Sequence, residues 1–232
     1  MKQVAIMQPT FLPWVGYFAM IEAVDCFVFL DNVQYDKRSW QNRNKLKSAN
    51  GIQLVSVPTK TKGLYNQLIN EVQLNEYGNF SHTFLKSLQH NYKKARAFNE
   101  IFPKIEEILT ADYQSLCKLN IAIIHKIMSL LDIRTEIVCA SQLNAKGKKA
   151  ELLAQISIEV GADHYLSAPG SKDYLEQSSY FEEALVPYSY FQYQHPIYHQ
   201  LYGAFESHLS ALDLLMNEGT DSGKIMRAGL LI

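Results

Sequence analysis

Between Asp31 and Asn44 the chain reads Asp-Asn-Val-Gln-Tyr-Asp-Lys-Arg-Ser-Trp-Gln-Asn-Arg-Asn, mixing acid, base, amide and aromatic groups with no period that would serve packing. Lys37, Arg38 and Arg43 can grip phosphates, Asn42 and Asn44 can hydrogen-bond sugar hydroxyls, and Trp40 offers a face for a base or pyranose ring. His82 is the candidate general base, since an imidazole exchanges a proton near neutral pH and can take one from an attacking amine or hydroxyl. Asp31 stands second, a carboxylate able to orient an amine or accept its proton. The plainer account makes the stretch a solvated loop with surface ion pairs and His82 a capping or surface histidine. His90 and His125 are plainer still. Tyr193, His195, Tyr198, His199, Gln200 and Tyr202 concentrate His and Tyr, but no Cys or carboxylate joins them at metal-ligand spacing. No metal is expected. Cys26, Cys117 and Cys139 fall in apolar strand and helix patterns where thiols act as fillers, and no GxSxG, P-loop or GxGxxG occurs.

The elements that must position these groups follow from apolar runs and their breakers. Val4 to Met7 is a short apolar run stopped by Gln8-Pro9, which reads as a central strand. Val15 to Val24 has helical spacing, and Cys26 to Leu30 is a second buried strand, so the opening is a βαβ unit. Ligands of such units collect beyond the strand C-termini, which singles out Gln8 to Trp14 and the residues after Leu30. Asp31 to Asn50 reads as a functional loop, Gln53 to Pro58 and Ile69 to Leu74 as strands, and Thr59 to Asn66 as a lysine-bearing loop. From about 79 to 131 the chain is mainly helical, with a break expected at Pro103. Arg134 to Ala140 reads as a fully buried strand, Lys149 to Val160 as a helix ended by Gly161, and Asp163 to Ser167 as a strand. That strand runs into Ala168-Pro169-Gly170-Ser171, so Ser167, Gly170 and Tyr174 should form a wall opposite the Asp31–Asn44 segment. Ser189 to Gln194 alternates aromatic and polar residues, and Leu209 to Met216 closes as a helix capped by Gly219. The economical fold is α/β: one Rossmann-like, mostly parallel sheet with flanking helices and a helical insertion, spanning 1–232.

Composition sets the outer limits. At 232 residues and 47% hydrophobic the chain can bury a real core, and disorder is excluded. Lys and Arg number 22 against 23 Asp and Glu, a net charge of −1, so no nucleic acid partner is expected. The opening MKQVAIMQPT is too short for a signal peptide core, no window has about 18 unbroken apolar residues, and the three cysteines form no pair motif; a cytoplasmic protein is expected. Tyrosine is abundant, 14 residues against 2 Trp, and a sugar or nucleotide cleft is one use for groups that are both apolar and hydroxylic.

Met7-Gln8-Pro9, Pro-Trp-Val-Gly-Tyr-Phe at 13–18, Asp25, Asp-Asn-Val-Gln-Tyr at 31–35, Lys37, Trp40 and Asn42-Arg43-Asn44 together resemble the signature of the WbqC-like family. Tyr165-Leu166-Ser167, Pro169-Gly170, Tyr174-Leu175, Pro196 with Tyr198 and Gln200, and Leu209-Ser210 with Asp213-Leu214-Leu215 and Asn217 extend the likeness, and His82 and Tyr92 fit it in the middle. The resemblance implies bacterial surface-polysaccharide chemistry and, as a reaction, transfer of glycine or another acyl group to an amino sugar. The implied partner is a nucleotide-linked or lipid-linked amino sugar, and an activated acyl donor is required. In that scheme Lys37 and Arg43 bind pyrophosphate, Trp40 and Tyr35 stack, and Gln8, Asn42 and Asn44 read hydroxyls; Gln34, Tyr92, Tyr198 and Gln200 join them. The opening is also similar to the nucleotidylyltransferase-like superfamily, with Trp14-Val15-Gly16-Tyr17 standing where that fold places a paired-histidine motif for ATP. Gly16 and Tyr17 would then bring helix N–H groups to a phosphate. Both histidines are absent, and with them the cationic help that adenylyl transfer needs. An ATP-dependent ligase and a non-catalytic nucleotide-sugar binding protein are the alternatives.

Overall fold

The computed structural model describes residues 1–231. Strands β1 (Gln3–Met7) and β2 (Cys26–Phe29) form where the apolar runs end in breakers, followed by β3 (Arg43–Ser48), β4 (Gly51–Ser56), β5 (Glu136–Cys139), β6 (His164–Ser167) and β7 (Tyr188–Tyr190). The helices are α1 (Val15–Glu22), α2 (Tyr77–Tyr92), α3 (Phe98–Thr110), α4 (Leu116–Leu130), α5 (Ala150–Glu159), α6 (Lys172–Glu176), α7 (Tyr180–Glu183), α8 (Ala211–Glu218) and α9 (Ser222–Arg227). Five strands make one parallel sheet in the order β5-β2-β1-β6-β7, and β3 with β4 forms a separate antiparallel hairpin. Val4 pairs with Cys26 on one side and Tyr165 on the other, which fixes β1 at the centre. The chain steps outward from β1 to β2 to β5 and then crosses back to β6, so the order reverses between β1 and β6. This is a Rossmann-like α/β fold, and its reversal opens a crevice at the strand C-termini.

Side chains alternate across the sheet. Val4, Ile6, Cys26 and Val28 pack on one face with Leu152, Leu153 and Ile156 of α5. Ala5, Phe27 and Phe29 face the larger core built from α1, α2, α4 and α8. Entry to α1 is set by Trp14, whose ring lies over Gly16: a Cβ there would meet the indole at 2.1 Å. The same indole packs on His195 and His208, with ring centroids 5.9 and 4.8 Å away, so it has little room to swing aside. Gly16→Ala is therefore expected to cost about 1–3 kcal/mol and to shift the Trp emission; an unchanged urea midpoint and spectrum would show that the ring moves freely.

Four local expectations are corrected. The stretch read as a loop to Asn50 contains β3, because its buried positions include Asn44 and Lys47 beside Leu46, and polar inner residues hide the strand period. Ile69 to Leu74 is no strand but a 3-10 turn at Ile69–Glu71, followed by isolated bridges from Gln73 and Leu74. Pro103 lies inside α3, where the bond it forgoes would end on Asn99 in the exposed first turn and water can replace it. β5 is an edge strand and only partly covered.

Candidate functional site

Where β1 runs into Gln8 and β6 into Ala168-Pro169-Gly170, two adjoining cavities open. One, about 380 Å³, is floored by Ile6 and Tyr165 and rimmed by Thr10, Trp40, Gln41, Gly170, Ser171 and Tyr174. The other, about 680 Å³, is lined by Asn32, Gln34, Asn66, Gly147, Lys148 and Lys149. Gln8, Leu30, Leu153 and Tyr174 line both, so the two are lobes of a single cleft. The lysines end the loop from β5 into α5, where the helix N-terminus adds partial positive charge. Gly147 takes φ +109°, a backbone setting that disfavours any side chain there. Burial pushes the Tyr174 phenol up from its ordinary value, so it serves the cleft as a neutral hydroxyl.

Two loops frame the first lobe, and one buried side chain ties them together. Asn120 of α4 donates to the carbonyls of Pro9 at 3.0 Å and Gln41 at 2.8 Å. The Gln41 amide in turn donates to Gln8 Oε1 at 2.8 Å, and the Tyr17 hydroxyl donates to the Gln8 carbonyl at 3.0 Å. Trp40 stays 49% exposed at the rim, with the Arg43 guanidinium 5.9 Å and the Lys45 ammonium 5.6 Å from its ring centroid. Two cations near its face hold such a ring electrostatically, and its exposed half can still stack on a ligand.

Of the residues picked from sequence, Gln8, Gln34, Trp40, Gly170 and Tyr174 come together in this cleft. Ser167 lies beneath it, hydrogen-bonded to the Ser171 hydroxyl. Others are placed elsewhere. Leu30 continues the face of β2 that looks into the cleft, so Asp31, one residue on, turns to the opposite face; its carboxylate accepts from the Ser141 N–H at 2.8 Å and hydroxyl at 2.6 Å. His82 is exposed on α2 and lines neither lobe. Gly16 is covered by the Trp14 ring, and Tyr17 is buried against Phe18 and Phe27, so α1 presents no open N-terminus to a phosphate. Asn42 donates to the Val57 carbonyl, and Asn44 to those of Phe11 and Leu12, so both amides hold backbone where sugar hydroxyls were expected. The Tyr35 hydroxyl meets Thr59 Oγ1 at 3.2 Å. Lys37 and Arg38 are exposed outside both lobes. Tyr92, Tyr198 and Gln200 belong to a buried network with Lys47 and Asp213, well away from solvent.

The sequence reading missed Asn32, Gln41, Asn66, Asn120, Lys148 and Lys149. Position was the available signal for the lysines: they follow the third parallel strand and immediately precede an amphipathic helix, the place where α/β folds hold anions.

Within the histidine and tyrosine concentration, Tyr193 and His195 pack on Trp14, Tyr198 lies behind His195, and none of the six residues lines either lobe. His195 stacks between Trp14 and Tyr198 and donates from Nδ1 to its neighbour's carbonyl, while Nε2 is buried without a partner. Burial lowers its pKa, the Pro196 carbonyl works against that, and His208 lowers it further. A base whose folded pKa lies below its unfolded one contributes stability that is full above about pH 6.5 and is lost as pH falls through the folded value. The melting temperature should accordingly fall between about pH 7 and 5, and His195→Gln should flatten that slope while leaving the share from His125, which burial also lowers. A slope identical in both proteins would assign the acid sensitivity elsewhere.

Among the described residues no helix is long and apolar enough to cross a membrane, and no three His, Cys, Asp or Glu side chains converge as metal ligands. The cysteines are free. No solved structure matches the chain. Among curated proteins it is 34% identical over 229 residues to "Uncharacterized protein Rv1507c" of Mycobacterium tuberculosis, an alignment that covers 98% of each chain. The model of the WbqC-like protein family matches residues 8–225, beginning at the glutamine shared by both lobes and ending within α9. With nearly the whole fold inside that match, the chain belongs to the WbqC-like protein family.

Proposed function

We propose that the cleft holds a nucleotide-linked or lipid-linked amino sugar and that the chain transfers an acyl group, glycyl or another, to its amine in the assembly of a bacterial surface polysaccharide. One observation carries this reading: a lobe with an aromatic rim and amides adjoins a lobe with two lysines at a helix N-terminus, across the switch point of a parallel sheet. Ring and hydroxyls suit the first lobe and phosphates the second. In the reaction the amine nitrogen bonds to the acyl carbon, the bond from that carbon to the donor breaks, and the donor's leaving group takes the electron pair. The ammonium proton goes to water at the open mouth, since neither His82 nor Asp31 faces the cleft; catalysis then rests on holding the two reactants together.

A second reading is favoured by one specific fact: among the described residues, no Asp, Glu or His lines either lobe. The same amides and lysines would serve a nucleotide-sugar binding protein without turnover. The ligase alternative loses its phosphate site, because Trp14 covers Gly16.

The deciding experiment is thermal stabilisation by ATP, coenzyme A and UDP-, GDP- and dTDP-linked amino sugars, where a ligand at about 100 times its Kd adds about 2.7 kcal/mol. A nucleotide-sugar shift that is lost in Lys148→Ala/Lys149→Ala is the expected result. A shift with ATP alone would favour the ligase, and tight binding with no transfer from acyl-thioester or aminoacyl donors would favour the binding protein.

A further inference from the structure

The cleft carries a polarity that follows from its hydrogen bonds alone. Gln41 Oε1 accepts from the backbone N–H of Asp36 at 2.9 Å. A backbone N–H can only donate, so this bond fixes which end of the Gln41 amide is oxygen and sends its Nε2 to Gln8. Gln8 must then meet it with Oε1, at 2.8 Å. The Gln8 Nε2 that remains has no partner among the described residues, is not among the buried unpaired atoms, and belongs to a side chain lining both lobes. The chain from Asp36 through Gln41 to Gln8 thus delivers a fixed N–H donor to the junction where the two lobes meet. Gln41 is itself clamped, with its N–H on Ser39 Oγ and its carbonyl on Asn120, so the donor cannot reverse without disturbing the frame.

Building on the transfer reading, we propose that Gln8 Nε2 is the group that holds the acyl carbonyl oxygen, making the junction of the lobes an acyl subsite. A carbonyl oxygen accepts and never donates, which is what this polarity selects; as the amine adds, the oxygen gains charge and the bond strengthens.

The test compares two probes that differ by an acetyl group, UDP-N-acetylglucosamine and UDP-glucosamine, in the wild type, Gln8→Glu and Gln41→Glu. The carboxylate introduced by Gln41→Glu still accepts from the Asp36 N–H but cannot donate, so Gln8 must turn its own Nε2 toward it and show oxygen to the cleft. The wild type should prefer the acetylated sugar to UDP-glucosamine, and that preference, taken as the ratio of the two affinities within each protein, should fall about ten-fold in both variants, the worth of one well-placed hydrogen bond, whatever the new carboxylates do to the binding of both sugars alike. An acetyl preference that survives in both variants, or no preference in the wild type, overturns the Gln8 assignment and leaves the cleft reading standing. Failure of the wild type to bind either sugar overturns the cleft reading, and the acyl subsite falls with it. The donor polarity is also read without ligand by NMR: the Gln41 side-chain amide protons should exchange slowly and those of Gln8 fast, and the reverse order would refute the assignment.

Discussion

Lys47→Met is expected to lower the free energy of unfolding by about 3–5 kcal/mol, the range for removing one member of a buried charged network. Lys47 is 3% exposed; its ammonium donates to Gln200 Oε1 at 3.0 Å and to the carbonyl of Ala204. Its backbone N–H donates to the Tyr92 hydroxyl, which donates to Asp213 Oδ1 at 2.8 Å, while Tyr198 donates to Oδ2 at 2.9 Å. Burial raises the Asp213 carboxyl above its ordinary range, and the two phenols and Lys47 pull it back. Without Lys47 the carboxylate loses its nearest cation and the Ala204 carbonyl loses the ammonium, while Gln200 Oε1 keeps the Glu206 N–H at 2.9 Å. An acid with a raised folded pKa contributes stability that is present in acid and lost as pH rises through the folded value, so the variant should lose more stability than the wild type between acid and neutral pH. Urea unfolding with an unchanged m-value measures the loss, and Lys47→Met/Asp213→Asn should regain part of it through coupling of about 0.5–3 kcal/mol. A loss under about 1 kcal/mol would mean that water reaches the ammonium.

Asn120→Leu is the second large effect, and the one that links stability to the cleft. The side chain is fully buried, and each carbonyl it serves, Pro9 and Gln41, lies on a buried residue. Leucine keeps the branched shape but leaves both acceptors bare, about 1–3 kcal/mol for each. The two loops that present Gln8 and Trp40 would also lose one of their ties, keeping the Phe11 N–H to Trp40 carbonyl bond and the Gln41–Gln8 bond, so protection of the Gln41 side-chain amide should fall with stability. Lost stability with full Gln41 protection would show that the loops hold each other without Asn120.

What could be read from the residues is what apolar runs and breakers determine. β1, α1, β2, α5 and β6 were plain because Val4–Met7 and Cys26–Leu30 are short apolar runs bounded by Pro or charge and Asp163–Ser167 runs straight into Pro169-Gly170, and their alternation with helices gives the Rossmann-like class. β3 was hidden because its buried positions carry Asn44 and Lys47, whose partners come from the distant Phe11–Leu12 and Gln200–Ala204 segments. Tyr92, Tyr198 and Gln200 look like ligand-binding groups by type; only the fold shows that they bind one another. The turn of buried Asp31 away from the cleft was readable in principle, since Val28 and Leu30 pack on one face of the sheet and Phe29 on the other, and alternation puts Asp31 with Phe29. Gln8 and Trp40 were found because they follow strand ends, and Gln41 was passed over between two more conspicuous neighbours.

The central strand β1 has one neighbour at residues 26–29 and the other at 164–167 of 232. On the ribosome, β1 meets β2 early, but its second edge stays open until more than two thirds of the chain has been made. For that interval the nascent chain displays the unpaired backbone of a strand whose Val4, Ala5 and Ile6 are buried in the finished protein. Vectorial synthesis thus sets the hazard: chains stalled or cleaved before residue 164 keep a sticky parallel edge, and their fate is aggregation or chaperone capture.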